Sequence, residues 1–309
     1  MSDHLKGLLV TTLGVLFLVP DSLFVRLIGA EALAIAFWRG LIAGGLILCF
    51  VLIRSGTAPL RAVVQGGPPV WIYTLLYGIS APGFVLAVSM TSVANVVFIL
   101  AAMPVFAAIF SRIWLGELIT RRMVWTMLGV FVGLSIIVLG SSAQPGTDWR
   151  GDALALLVAG CFAAALTAAR RARGTPMLPA VPLALIGGAL LILPFVDIWG
   201  PLAQWWPLFA AHGLFIAFAS GLMVLGPRYV SSAEVALLIL LESILAPLLV
   251  WAVVGENPGS WGLAGGAVVV VVLLVSNAVV LLRRGPGGGV RINRGGAAGR
   301  DRIARDSES

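Results

Sequence analysis

The sequence predicts an all-α, polytopic membrane protein of ten transmembrane helices arranged as two inverted five-helix repeats, and three observations carry that prediction. Of its 309 residues 60% are apolar and only 11% charged, where a soluble domain carries roughly 25% charged residues. A mean hydropathy of +1.06 leaves too few polar side chains to coat a water-soluble body of this size. The apolar residues also fall into ten runs, each near the ~20 residues that a helix needs to cross a ~30 Å hydrocarbon core. Backbone groups in lipid must be satisfied within their own segment, so runs of this length are helices rather than strands.

In chain order the runs extend from Leu5 to Ile28, Ala32 to Ile53, Val70 to Met90, Val93 to Trp114, Met123 to Leu139, Ala153 to Ala169, Leu178 to Phe195, Trp205 to Leu225, Ala233 to Val254 and Trp261 to Leu282. Helix breakers separate them: Ser55-Gly56-Thr57, Gln144-Pro145-Gly146, Arg173-Gly174-Thr175-Pro176 and Glu256-Asn257-Pro258-Gly259. Prolines 20, 82, 104, 194 and 247 fall inside runs and are expected to bend them. No connection is long enough to hold a soluble domain. The segment from Arg283 to Ser309 is rich in Gly, Arg and Asp and nearly devoid of apolar residues, so it is expected to be a disordered basic tail. Lys6 followed by an apolar run to Val19 superficially resembles a signal peptide. Removing that run would leave nine spans and disturb the charge pattern, so it is expected to be the first helix.

The net charge of +7 reports topology rather than nucleic acid, since the arginines are scattered through short loops and the tail with no basic, aromatic-laced patch. With both termini on the cytoplasmic side, Lys6, Arg54, Arg61, Arg112, Arg121, Arg122, Arg170, Arg171, Arg173, Arg228 and the tail arginines share one face. Only Arg26, Arg39 and Arg150 oppose the bias. The multi-pass protein is therefore expected in a plasma membrane, and its preference for Arg over Lys suggests a bacterial inner membrane. Cys49 and Cys161 lie within apolar runs without neighbouring ligands and read as small packing residues.

The fourth and ninth runs align without a gap at an offset of 139 residues. Ser92-Val93-Ala94-Asn95 faces Ser231-Ser232-Ala233-Glu234, Ala107 faces Ala246, and Gly116-Glu117 faces Gly255-Glu256. The copies lie five helices apart, an odd number, so the halves cross the membrane in opposite directions. Gly129/Gly133 in the fifth run and Gly262/Gly266 in the tenth add small residues four apart, suited to close helix contact.

On these residues the chain resembles a known family. Ser92-Val93-Ala94-Asn95, Pro104-Val105-Phe106, Leu115-Gly116-Glu117 and Gly129 are similar to the most recognisable segment of the EamA repeat of the drug/metabolite transporter superfamily. The resemblance covers about residues 5 to 282. It implies two EamA repeats, 5–140 and 151–282, and ATP-independent membrane transport, usually export of metabolites or drug-like solutes. The implied partners are a small-molecule solute and membrane lipids; a homodimer is allowed, and no nucleic acid, cofactor or metal is implied. The second copy departs from the pattern, with Ser243 where the first has Pro104 and Pro247 four residues on, an arrangement expected to displace its kink by about one turn.

An ionisable residue at the centre of a membrane helix costs at least about 2.5–3.5 kcal/mol, so each such residue requires a reason. Asp21 and Arg39 each lie about seven residues, roughly 10 Å, from the same end of their helices, a matched depth that allows an interior ion pair. Glu242 falls near the midplane of the ninth run without a partner three or four residues away. These three are the candidate walls of a substrate or proton pathway, with structural pairing as the alternative. His212, about 10 Å deep, either joins that cavity or donates to a backbone carbonyl. Trp38 either stacks on a substrate ring or packs between helices. Asn95 and Glu234, at equivalent repeat positions, are expected to cap or gate helix ends. Arg26 is expected to snorkel to headgroups, and Glu117 and Glu256 to make ordinary surface pairs with nearby arginines such as Arg121. Most tryptophans, Trp71, Trp114, Trp149, Trp199, Trp205, Trp206 and Trp261 among them, mark run ends, as in an interfacial belt.

An intramembrane enzyme is the competing class, but the chain has only His4 and His212 and lacks HExxH, GxSxG and Walker patterns. A non-transporting scaffold would need partner-binding loops that these connections do not supply.

Overall fold

The computed structural model describes residues 3–141, 148–172, 174–225 and 232–284. The expected turn at Gln144-Pro145-Gly146, together with Arg173, Arg228, Ser231, the side chain of Glu234 and residues 285–309, lies outside the described residues.

Proline dictates where the first span breaks. It has no N–H to donate and its ring clashes with the preceding turn, so α1 (Asp3–Leu18) stops before Pro20 and α2 (Asp21–Leu27) starts after it. The second span is α3 (Ala32–Ser55), followed by the short α4 (Ala58–Val64), which hydropathy did not reveal, and the third span α5 (Pro68–Met90). The fourth span is again two pieces, α6 (Val93–Leu100) and α7 (Met103–Leu115). Pro104 occupies the first turn of α7, where a missing N–H leaves nothing unsatisfied. The fifth to tenth spans are α8 (Arg121–Ser141), α9 (Trp149–Arg171), α10 (Ala180–Ile192) with a 3-10 turn (Leu193–Phe195), α11 (Trp199–Leu225), α12 (Ser232–Val254) and α13 (Ser260–Arg284). Eight described stretches are long and apolar enough to cross a membrane, and Ala180–Phe195 and Leu238–Val254 are two shorter apolar helices. The all-helical, ten-span architecture is as the hydropathy required.

The two halves are not copies at the kinks. α12 runs unbroken through Pro247, as α5 does through Pro82 and α11 through Pro207. The ninth span is one helix carrying Pro247 inside it, whereas the fourth is two, and Ser243, standing where Pro104 does, keeps the N–H that proline would remove.

Packing exchanges the halves pairwise. The third span lies on the sixth as the eighth lies on the first, the third on the seventh as the eighth on the second, and the fourth on the sixth as the ninth on the first. The second with the seventh and the fifth with the tenth are pairs that map onto themselves. Such exchange is what a pseudo-twofold axis in the membrane plane imposes.

Glycine permits the tightest of these crossings. A Cβ on Gly78 of α5 would sit 2.8 Å from the Ala184 carbonyl oxygen of α10, and one on Gly40 of α3 would sit 2.9 Å from that of Leu185. In the α8–α13 pair, Gly133 meets Gly265, and Gly129 meets Val272. Gly262 and Gly266 instead face Asn95 and Phe98 of the fourth span, so the small-residue signal of the tenth run serves two neighbours. Replacing Gly78 with Val is expected to destabilise the protein by about 1–3 kcal/mol through backbone displacement. Gly45, with open space around it, should accept Ala with a gain of up to about 1 kcal/mol; thermal unfolding in detergent distinguishes the two.

Candidate functional site: a buried charge cluster between the halves

Pro20 ends α1 and leaves Asp21 as the first residue of α2, where the free N–H groups of a helix start favour a carboxylate. Arg39 reaches it from α3. Arg39 Nε donates to Asp21 Oδ1 at 2.9 Å and Nη2 donates to Oδ2 at 2.5 Å, a bidentate fork. His212 of α11, from the other half, places Nε2 2.6 Å from Asp21 Oδ1. A carboxylate held by an arginine fork accepts rather than donates, so Nε2 carries the hydrogen of that contact. All three residues are buried. The pair suggested by matched depth is present, and His212 joins it rather than a backbone carbonyl.

Aromatic rings close the cluster. Phe24 stacks on the His212 ring at 5.2 Å and the Arg39 guanidinium lies 5.7 Å from the centre of Phe84. Tyr77 of α5, which interacts with Ser220 of α11, lies within electrostatic reach of both Asp21 and Arg39. Glu242 of α12 lies within reach of the same two charges, half-buried and without a hydrogen bond or ion pair to any described residue. Two polar atoms in the cluster have no partner among the described residues: His212 Nδ1 and the Ser22 hydroxyl.

The other candidates stand apart. Trp38 donates its indole N–H to the Ile198 carbonyl at 3.0 Å and packs with Phe37, Trp199 and Phe209, tying α3 to the start of α11. Asn95 lies at the membrane end of the fourth span, where its amide approaches Asp152 at 3.2 Å. The cap of α6 is Ser92, whose hydroxyl accepts the Asn95 N–H. Arg26 does not snorkel alone; its Nε meets Glu256 at 2.6 Å. Glu117 pairs with Arg170 at 2.6 Å, not with the neighbouring Arg121.

Sequence reasoning missed Asp152, Thr91, Ser22 and Tyr77. Asp152 is fully buried and accepts from the Thr91 hydroxyl at 2.8 Å. An acid in the first turn of a helix looks like a dipole-compensating surface residue, and only its partner on another span reveals otherwise.

The EamA-like transporter family matches residues 5–139 and 149–278. The chain belongs to that family. No protein of curated function matches it. Among solved structures, one described only as a crystal structure of a protein is 20% identical, with a TM-score of 0.63 over 91% of this chain and 99% of that one. At that identity the likeness shows the fold alone. The chain is therefore a multi-pass membrane protein of a drug/metabolite-transporter type.

Asp21→Asn should leave the Arg39 charge buried and unmatched, a loss of about 3–5 kcal/mol. The double change Asp21→Leu with Arg39→Met should cost distinctly less. Thermal unfolding of the purified protein in detergent measures both.

Proposed function

We propose that this EamA-family protein is a secondary transporter that moves a small metabolite or drug-like solute by alternating access, in the direction of proton-coupled export. The observation that carries the reading is the Asp21–Arg39–His212 cluster, built from both halves and buried. Charges this deep are retained at a cost of several kcal/mol, and the usual reason in a membrane bundle is a solute or ion path.

In this reading the solute enters between the halves and engages the groups that the protein itself leaves unmatched. His212 Nδ1 and the Ser22 hydroxyl supply hydrogen bonds. Arg39 offers its guanidinium face beside Phe84, a surface that suits a planar or anionic group. Glu242 is the proton carrier in this reading, because it lies near the cluster yet, unlike Asp21, makes no ion pair with a described residue. Rocking of one half against the other then exposes the cluster alternately. In this reading both termini, and the Glu117 end of the molecule, lie on the cytoplasmic side of a plasma membrane, which the basic loops favour.

The geometry disfavours the enzyme reading. A Ser–His–Asp relay needs the serine hydroxyl on the ring nitrogen opposite the carboxylate. Here Ser22 Oγ and His212 Nδ1 make no hydrogen bond with each other.

Purified protein in liposomes carrying an imposed pH gradient, offered a panel of labelled metabolites, tests the reading. Wild type should move at least one solute faster than empty liposomes, with a rate that follows the gradient. Glu242→Gln should abolish that pH dependence while leaving solute exchange measurable. Retained pH dependence in Glu242→Gln removes the proton role, and no flux of any solute removes transport.

A further inference from the structure

The two Gly-Glu endings of the repeat form a matched pair of ion pairs at opposite faces of the molecule. After α7, Gly116 takes the left-handed conformation at φ 70° and the Glu117 N–H reaches back to the Ser111 carbonyl at 3.2 Å. After α12, Gly255 does the same at φ 76°, its N–H bonded to the Trp251 carbonyl at 3.0 Å. Each helix thus ends in a fixed turn that projects the next residue, a glutamate, sideways.

Each glutamate crosses to the other half. Glu117 binds Arg170, in the last turn of the first helix of the second repeat. Glu256 binds Arg26, in the last turn of the first span of the first repeat. The pairs are equivalent under the exchange of halves, and inversion puts them at opposite ends of the bundle. The buried charge cluster lies between them.

We propose that Glu117–Arg170 and Glu256–Arg26 are the two latches of the alternating-access cycle, each holding one face shut and only one opening at a time. The proposal rests on the transport reading above and adds which residues gate it. Each pair ties the end of a span in one half to the end of a span in the other, so a rocking motion that opens a face must part the pair on that face. An ion pair at a membrane surface is suited to this, because its separated partners are rehydrated and the net cost is small.

The latches are unequal. Arg170 and Glu117 are 48% and 44% exposed, whereas Arg26 and Glu256 are 23% and 21% exposed. Glu256 also accepts the Val93 N–H at 2.7 Å, and Arg26 donates to the Thr91 carbonyl at 2.8 Å. Behind them the Thr91 hydroxyl and the Asn95 amide converge on buried Asp152. On the Glu117 side Arg170 also reaches Ser111 at 3.0 Å and Arg171 the Trp114 carbonyl at 2.6 Å, so the difference between the latches is one of exposure. The Glu117 face is therefore the one that opens more readily in the absence of solute.

The test reads face-selective access. In a background with Cys49 and Cys161 replaced by Ala, Ser22→Cys supplies one thiol beside the cluster, and a membrane-impermeant maleimide is added to oriented vesicles from one side or the other. Glu256→Gln should raise labelling from the Glu256 face about tenfold and not from the opposite face. Glu117→Gln should raise it from the Glu117 face by about fivefold, the worth of a half-exposed pair. The charge swaps Arg26→Glu with Glu256→Arg, and Arg170→Glu with Glu117→Arg, should return labelling toward the parent level. Unchanged labelling, or an equal rise from both faces, overturns the latches. A single variant that fails to fold is replaced by Arg26→Cys with Glu256→Cys, whose disulfide should leave the thiol reachable only from the Glu117 face; access from the locked face overturns the proposal too. Face-selective shifts in a protein that moves no solute would retain the latches and remove the transport reading.

Discussion

A carboxylate, a guanidinium and an imidazole share one dry volume at the junction of the two halves, and the rest of the bundle is built around the need to satisfy them. In a low dielectric an unpaired charge is intolerable, whereas a bidentate pair with a hydrogen-bonding third member is sustainable. That requirement fixes the depth at which α1 must end. Pro20 makes Asp21 a helix N-terminus, so the backbone of α2 assists the same carboxylate that Arg39 holds. It also fixes the register of α3 and α11, since Arg39 and His212 must arrive at one height. Glycines on α3 and α5 then let α10 approach closely enough to close the shell, with Gly40 against Leu185 and Gly78 against Ala184.

Duplication explains how so much symmetry coexists with a one-sided site. The exchanged helix contacts and the equivalent Gly-Glu turns are relics of two like halves in opposite orientation. The chemistry, however, is lodged unequally. The break in the fourth span at Ala101 and Ala102 has no counterpart in α12, which continues through Pro247. The fully buried Asp152 lies at the Glu256 end of the molecule. In the proposed cycle, symmetry would supply two states of similar energy, and the departures from it would decide which is preferred.

The parts of the structure that hydropathy could predict are those that depend on length. Ten spans followed from runs near twenty residues, and the breaks at Pro20 and Pro104 from a missing N–H. Helix α4, only seven residues from Ala58 to Val64, is too short to leave a periodic signal. The Asp21–Arg39 pair was legible because two charges at one depth on consecutive helices have few other places to go. His212 was legible only as one of two alternatives, a cavity member or a backbone donor, because its partner lies 191 residues away in sequence and only folding brings the halves into register. Trp38 stood between a ligand-binding ring and helix packing, and Asn95 between a cap and a gate, for one reason. A polar or aromatic residue within an apolar run is conspicuous, but whether it faces a cavity or a neighbouring backbone is a tertiary fact.

Charge counting also gains meaning from the fold. Three arginines opposed the bias that orients the chain, and two of them, Arg26 and Arg39, are held in ion pairs with Glu256 and Asp21. Their ion pairs give Arg26 and Arg39 a structural reason to lie where the loop pattern would not place them. The same logic connects the centre of the bundle to its ends. In the proposed cycle, closing both faces with ion pairs isolates the cluster from water, which strengthens every electrostatic contact within it. Opening either face would hydrate Asp21, Arg39 and His212 and weaken their hold on one another. In that cycle, a solute that engages Arg39 and His212 would bind them most strongly in the closed state, where no water competes, and differential binding of this kind is what would couple occupancy to movement.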